Sequence, residues 1–140
     1  MLAIIATDGS AIPNPGWMQI GALIMNEKQE VVKKISRKLT RGTNNQAEIM
    51  ALLEGVHNAK ELGYDEIIAY TDSELLYKHF NGSYRLTDKK LKDLHKTLKY
   101  NVKDLKNFTL KWHARESDLA QRADELSRVK PDASVLPYPI

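Results

Sequence analysis

The stretch "TNNQAEIMALLEGVHNAKELGYDEIIAYT", residues 43–71, decides the fold because it joins an amphipathic helix to a buried strand. Its apolar residues recur with a helical period at Ile49, Leu52, Leu53, Val56 and Ala59. This period predicts a helix over residues 45–62, which Gly63 ends as a left-handed residue. The run "DEIIAYT" then predicts a strand. A strand that is reached through a helix pairs in parallel with an earlier strand by a right-handed crossover.

Strands and helices flank this stretch on both sides. Three strand-like runs precede it, "LAIIAT" (2–7), "MQIGALIMN" (18–26) and "EVVKKISRKL" (30–39), and their short connections favour antiparallel pairing. The elements that follow it are a short helix "SELLYKHF", a helix over 87–105 capped by Thr87 or Asp88, a strand "NFTLKWH" and a last helix "LAQRADELSRV". The sequence therefore predicts an α/β fold with a mixed five-stranded sheet, three antiparallel strands and then two parallel ones, flanked by helices.

Length and composition limit the classes of protein that the chain can form. Its 140 residues suit one domain, and we predict a domain over residues 1–129 and a C-terminal tail over 130–140. Cysteine is absent, which excludes a disulfide framework and fits a reducing, cytoplasmic compartment. No run of ~18 apolar residues is present, so we expect no contact with a membrane interior. The net charge of +3 weakly favours an anionic partner such as nucleic acid.

Four carboxylates are predicted to converge at one edge of the sheet. Asp8 ends the first strand and Asp72 ends the fourth, and the ends of parallel neighbours lie ~4.8 Å apart. Glu48, in the first turn of the crossover helix, and Asp124, early in the last helix, can point to the same place. Clustered carboxylates repel one another unless a cation neutralises them. The ions that such a group of carboxylates would bind are two Mg²⁺ or Mn²⁺ ions ~3.5–4 Å apart, which can hold a phosphodiester between them.

Each of these acids also has a local explanation. Asp8 before Gly9 is a common turn pair, and Asp72 before Ser73 is a common helix cap. Glu48 suits the dipole of a helix that Thr43 and Gln46 cap, and Asp124 suits a solvated helix face. Only the joint placement of all four at one edge favours a metal site.

Four motifs resemble ribonuclease H type I. They are "TDGSAIPNPG", "TNNQAE", "YTDSELL" and "WHARESDLAQRADELSR", and their order and spacing agree with that family over roughly residues 2–129. The chain resembles a short form, because residues 81–86 lead directly into the next helix without a basic protrusion. The resemblance implies a ribonuclease H-like fold and metal-dependent cleavage of RNA paired with DNA, with 5′-phosphate and 3′-hydroxyl ends.

The resemblance also implies roles for particular residues. Asp8, Glu48, Asp72 and Asp124 correspond to the catalytic metal ligands, and His113 to a histidine that assists proton transfer or product release. A histidine has a pKa near neutrality that suits this task, although a strand end without a role is the local alternative. The residues that match the family's contacts to RNA, to both strands and to a DNA phosphate are Gly9, Ser10, Asn14, Gly16, Arg41, Thr43, Asn44, Asn45 and Gln46.

Other functions remain open from the sequence. One is a module of the same fold that holds hybrids without cutting them, and another is a nuclease that acts on duplex RNA or on junctions. We expect a monomer. A row of lysines, Lys89, Lys92, Lys96, Lys99, Lys103 and Lys106, predicts either a solvated helix face or a track for a phosphate backbone.

Overall fold

One mixed sheet forms the centre of the computed structural model, which describes residues 1–82 and 85–129. Within these residues the sheet has five strands, β1 (Leu2–Ile12), β2 (Gly16–Met25), β3 (Val31–Gly42), β4 (Glu66–Thr71) and β5 (Asn107–Trp112). Four helices accompany them, α1 (Asn44–Glu61), α2 (Glu74–Phe80), α3 (Lys89–Val102) and α4 (Asp118–Ser127). The strand order is β3-β2-β1-β4-β5, with antiparallel pairing among β1, β2 and β3 and parallel pairing of β4 with β1 and β5. The predicted fold class is confirmed; the predicted tail, 130–140, lies outside the described residues.

The first strand is longer than the sequence predicts. Its parallel ladder with β4 ends at Ala6 and Tyr70, but its antiparallel ladder with β2 continues to Ile12 and Trp17. Asp8 and Gly9 therefore lie inside β1, and the explanation of this pair as a turn is wrong. Asp8 still lies just beyond the end of the parallel ladder, which is the position that the prediction required.

Alternation along the strands places hydrophobic clusters on both faces of the sheet. On one face α1 and α3 cover a large core that includes Ile5, Ile24, Leu52, Val56 and Leu98. On the other face α4 covers a small core that includes Ala6, Leu23 and Ala123. None of the helices in the described part of the chain is long and apolar enough to cross a membrane.

The helix ends follow local sequence signals. Thr43 and Gln46 form the predicted capping box at the start of α1, and Gly63 follows that helix with a φ of 93°. Asp88, rather than Thr87, caps α3. The last helix starts at Asp118 because Ser117 caps it, so Asp124 lies in the second half of α4 and not early in it as predicted.

Gly21 lets α4 lie directly on the sheet. A Cβ at this position would meet the backbone of α4, 2.4 Å from the nitrogen of Ser127 and 2.6 Å from the carbonyl oxygen of Ala123. Backbone atoms cannot rotate away as the end of a side chain can. The close approach therefore sets the distance between α4 and the edge of the sheet where Asp8 lies.

Replacing Gly21 with alanine is expected to destabilise the protein by about 1–3 kcal/mol, because α4 has to move away from β2. Chemical denaturation measures the change in the free energy of unfolding. Gly55→Ala is the matched control, since the new Cβ would meet only side-chain atoms there, with Ile5 Cγ2 at 3.0 Å. Equal stability of the two variants would contradict this account.

Candidate metal centre and nucleic-acid cleft

Three of the four predicted carboxylates converge. One oxygen from each of Asp8, Glu48 and Asp72 lies within 4.8 Å of the others. Asp8 comes from β1, Glu48 from the first turns of α1, and Asp72 directly follows β4. The sheet fixes the two aspartates, and the crossover helix brings Glu48 to them.

Gly9 brings Glu48 into place. A Cβ on Gly9 would lie 2.3 Å from the carbonyl oxygen of Ala47, so only glycine lets the start of α1 lie this close to β1. The backbone N–H of Gly9 donates a hydrogen bond of 2.7 Å to Glu48 Oε1. The capping box uses Thr43 and Gln46, so the Glu48 carboxylate is not needed to cap the helix.

Asp72 is oriented by its neighbours and is not a helix cap. Ser73 caps α2, and Thr71 Oγ1 accepts a hydrogen bond from the Ser73 nitrogen. The Asp72 side chain is 8% exposed, and Arg115 Nε lies 3.3 Å from its Oδ2. Among the described residues nothing hydrogen-bonds to its buried Oδ1. A buried carboxylate oxygen without a donor is suited to bind a cation.

The electrostatics of the group also favour a cation. Burial, followed by the charge of Asp72 and a hydrogen bond with Asp124, raises the pKa of Asp8 to about 7. Burial, followed by the charges of Asp8 and Asp72, raises the pKa of Glu48 well above its ordinary value. These carboxyls are therefore costly to ionise together without a positive charge. A hard divalent ion with oxygen ligands, such as Mg²⁺ or Mn²⁺, fits this donor set.

Asp124 lies beside Asp8 but outside the group of three. Its side chain is 43% exposed and pairs with Arg128 at 3.0 Å. Its carboxyl contributes to the raised pKa of Asp8, so the two side chains interact. Ser127, one turn further along α4, is 3% exposed, and its Oγ donates to Asp8 Oδ2 at 3.1 Å. The same Oγ lies 2.7 Å from the Asp124 carbonyl oxygen, so Ser127 links α4 to the carboxylate.

His113 is a buried residue. It follows β5, and its ring stacks against that of Tyr70 with 5.6 Å between the ring centroids. Burial lowers the pKa of His113, and the charge of Asp72 acts in the opposite direction. The expected pKa near neutrality is therefore displaced downward. His113 Nε2 has no hydrogen-bond partner among the described residues.

A cavity of about 580 Å³ opens over the three carboxylates. Four of the predicted substrate-binding residues line it, Gly9, Ser10, Asn44 and Asn45. Asn44 also joins the start of α1 to β1, because its Oδ1 accepts a hydrogen bond from the Ala11 nitrogen at 2.8 Å. The carboxylates and the short amides therefore share one cleft.

The other five predicted binding residues lie outside the lining of this cavity. Asn14 Oδ1 accepts a hydrogen bond from the Asn44 nitrogen, and the guanidinium of Arg41 lies 6.0 Å from the centre of the Trp17 ring. Thr43 and Gln46 are occupied by the capping box. Gly16 starts β2, where a Cβ would lie 2.2 Å from the Pro13 carbonyl oxygen. These contacts order the rim of the cleft.

The lysines of the row are exposed; the four within α3 face away from its buried side, and Lys103 and Lys106 follow the helix. Leu91 and Leu98 lie on the buried side. Lys99 Nζ donates to the Phe80 carbonyl oxygen at 3.0 Å and lies over the Phe80 ring, so this lysine also stabilises the contact between α2 and α3. The track for a phosphate backbone stays a prediction.

Two residues of the centre were not singled out from the sequence. The signal for Arg115 is a basic residue two positions after His113 in the fourth motif, which also contains Arg122 and Arg128. The signal for Ser127 is the spacing of Ala120, Ala123 and Ser127, which places a hydroxyl on the buried face of α4. Both contacts join parts of the chain that are distant in sequence, so spacing alone could not assign them.

A mixed five-stranded sheet with carboxylates at the ends of its central parallel strands defines the ribonuclease H-like class of proteins. Residues 6–128 match the family model described as reverse transcriptase-like. The chain therefore belongs to this family, and the predicted resemblance to ribonuclease H type I is confirmed.

Relatives and solved structures agree with this assignment. A ribonuclease HI of Halobacterium salinarum is 32% identical over 85 residues, which are 61% of this chain and 43% of that protein. The crystal structure of RNase H1 from H. salinarum superposes with a TM-score of 0.86 at 25% identity, over 91% of this chain and 95% of that one. A crystal structure of LC11-RNase H1 in complex with an RNA/DNA hybrid has a TM-score of 0.81 at 31% identity, over 89% and 92% of the two chains. The chain spans less than half the length of the curated relatives that it matches.

Replacing Ser127 with alanine is expected to weaken Mg²⁺ binding about tenfold, because Asp8 loses the donor that orients its carboxylate. Calorimetric titration with Mg²⁺ measures this change. Ser117→Ala is the control, since it removes the cap of the same helix without touching Asp8 and should lower stability by about 1 kcal/mol while Mg²⁺ affinity is kept. If both variants bind Mg²⁺ as the wild type does, Ser127 does not orient Asp8.

Proposed function

We propose that this protein is an endoribonuclease that hydrolyses the RNA strand of RNA–DNA hybrids with two Mg²⁺ or Mn²⁺ ions. The products would be 5′-phosphate and 3′-hydroxyl ends. The observation that carries the proposal is the group of three carboxylates within 4.8 Å of one another, with an unpaired buried oxygen on Asp72, beneath an amide-lined cleft.

The metal ligands in this proposal are Asp8, Glu48 and Asp72, with Asp124 beside Asp8. Bound there, the two ions would supply the positive charge that stabilises the phosphate during hydrolysis. The chain's own residues keep the carboxylates in place: Gly9 holds Glu48, Arg115 holds Asp72, and Ser127 holds Asp8.

The substrate side of the cleft suits RNA. An A-form strand presents 2′-hydroxyls in a wide, shallow minor groove, where short polar groups can reach them. Gly9, Ser10, Asn44 and Asn45 offer such groups next to the carboxylates. LC11-RNase H1, a structural relative, was crystallised with an RNA/DNA hybrid, which supports the same substrate here. In the proposal Arg41 and Thr43 contact a DNA phosphate, and Asn14, Gly16 and Gln46 order the rim that faces both strands.

Proton transfer is assigned to His113 in this proposal. Its lowered pKa means that the ring is mostly neutral at physiological pH, so it can accept a proton from water or product. We place the enzyme in the cytoplasm, in agreement with the absence of cysteine, and expect it to be a monomer.

The test uses four labelled substrates, an RNA–DNA hybrid, single-stranded RNA, duplex RNA and duplex DNA, each with Mg²⁺, Mn²⁺ or EDTA. The expected result is metal-dependent cutting of the RNA strand of the hybrid.

Glu48→Gln should lower kcat at least about a hundredfold, because glutamine keeps the size of the side chain but loses the charge that binds a metal ion. Glu61→Gln, the same change at an exposed end of the same helix, should have no effect.

Several outcomes would refute parts of the proposal. Cutting in EDTA would exclude the metal mechanism, and cutting of DNA alone would exclude the substrate. Tight binding of the hybrid without cutting would favour a binding module. Equal cutting of duplex RNA would favour a nuclease of broader specificity.

A further inference from the structure

A second cavity of about 580 Å³ adjoins the carboxylate cleft. Its lining consists of Glu74, Tyr77, Lys78, Lys111 and Trp112, and we call it the Trp112 groove. Glu74 lines both this groove and the carboxylate cleft, so the two spaces are neighbours. The function described above uses none of the residues of the groove.

Trp112 is hydrogen-bonded to the backbone of Asp72, yet part of its side chain is exposed. It ends β5, where it pairs with Thr71, and its indole Nε1 donates to the Asp72 carbonyl oxygen at 3.2 Å. The residue is nevertheless 44% exposed. A large aromatic side chain is thus held by a strand and a hydrogen bond, next to a metal-binding residue, with part of its surface open to a ligand.

The charges around the ring suit a phosphodiester. Lys78 pairs with Glu74 at 3.4 Å, which offsets the one acid of the groove. Lys111 is exposed and forms no ion pair with any residue in the ranges 1–82 and 85–129. An open aromatic ring with positive charge beside it is the combination that binds single-stranded nucleic acid, where bases stack on the ring and phosphates meet the cations.

The occupant of such a groove has to be unpaired. Within a duplex both faces of each base are covered by neighbouring bases, so a tryptophan can stack only on a base that has left the duplex. The paired part of a hybrid would occupy the cleft lined by Asn44 and Asn45, and its RNA strand would pass over the carboxylates. The groove adjoins the carboxylates, so the strand that can reach it is the RNA strand.

We infer that the Trp112 groove binds an unpaired ribonucleotide of the RNA strand at the point where that strand leaves the hybrid. This inference rests on the proposed function and specifies its substrate. The protein would then favour hybrids whose RNA strand continues as a single-stranded tail over hybrids with blunt ends.

The test compares KM for a blunt hybrid with KM for hybrids that carry a short tail on the RNA strand, at its 5′ or its 3′ end, or on the DNA strand. In the wild type one of the two RNA tails should lower KM about fivefold or more, which is the gain from stacking one base. A DNA-strand tail should have no effect. The ratio of blunt to tailed KM is compared within each variant, so a general loss of activity cancels.

Trp112→Ala should bring this ratio to one, whereas Trp112→Phe should keep most of it because a phenyl ring still stacks. Tyr100→Ala is the matched control, since Tyr100 is an exposed aromatic residue of α3 outside the groove and its loss should leave the ratio unchanged. In a Trp17→Phe variant Trp112 is the remaining one of the two tryptophans, and the tailed hybrid should quench its fluorescence more than the blunt one.

Equal KM for blunt and tailed hybrids in the wild type would overturn the inference and leave the proposed function intact. A tail effect that survives in Trp112→Ala would overturn it as well. Failure of the wild type to cut any hybrid would instead overturn the proposed function, and the inference with it.

Discussion

The mutual repulsion of three carboxylates held within 4.8 Å of one another is the constraint that the rest of this fold has to overcome. Isolated side chains in water would separate or take up protons. In this fold the carboxylates cannot separate, because they are attached to elements that do not easily move: the parallel ladder of β1 and β4, and the helix α1 that packs on it. Burial of Asp8 and Glu48, and after it the same repulsion, raises the pKa of both carboxyls.

Two close approaches of backbone to backbone hold this arrangement together. At Gly9 the start of α1 meets β1, and at Gly21 the end of α4 meets β2. The first approach places Glu48 beside β1, and the second places Ser127 and Asp124 beside Asp8. The large core beneath α1 and α3 and the small core beneath α4 keep both helices in position. The positions of the site residues at the edge of the sheet therefore depend on how the helices pack on its two faces.

Much of the fold, and the meeting of two of the carboxylates, was predictable from the sequence. The helical period before a buried strand predicts the crossover, and the crossover places Asp8 and Asp72 on neighbouring parallel strands. The length of β1 was not predictable, because Asp-Gly is a turn signal that the ladder with β2 overrides. The last helix begins at Asp118, one residue before the predicted start at Leu119, so its second half, where Asp124 lies, could have been assigned from the sequence. The burial of His113 against Tyr70 is a contact between strands that local patterns do not encode.

The most direct test of the central claim is the melting temperature of the protein between about pH 5 and about pH 8, with EDTA and with Mg²⁺. The native pKa of Asp8, about 7, and that of Glu48 lie above those of the unfolded chain. The native state therefore binds more protons, and without metal its stability should fall as pH rises towards the native pKa values. Mg²⁺ bound by the same carboxylates would displace these protons, so its stabilising effect should grow over the same range. A melting temperature that Mg²⁺ leaves unchanged at every pH would contradict the account.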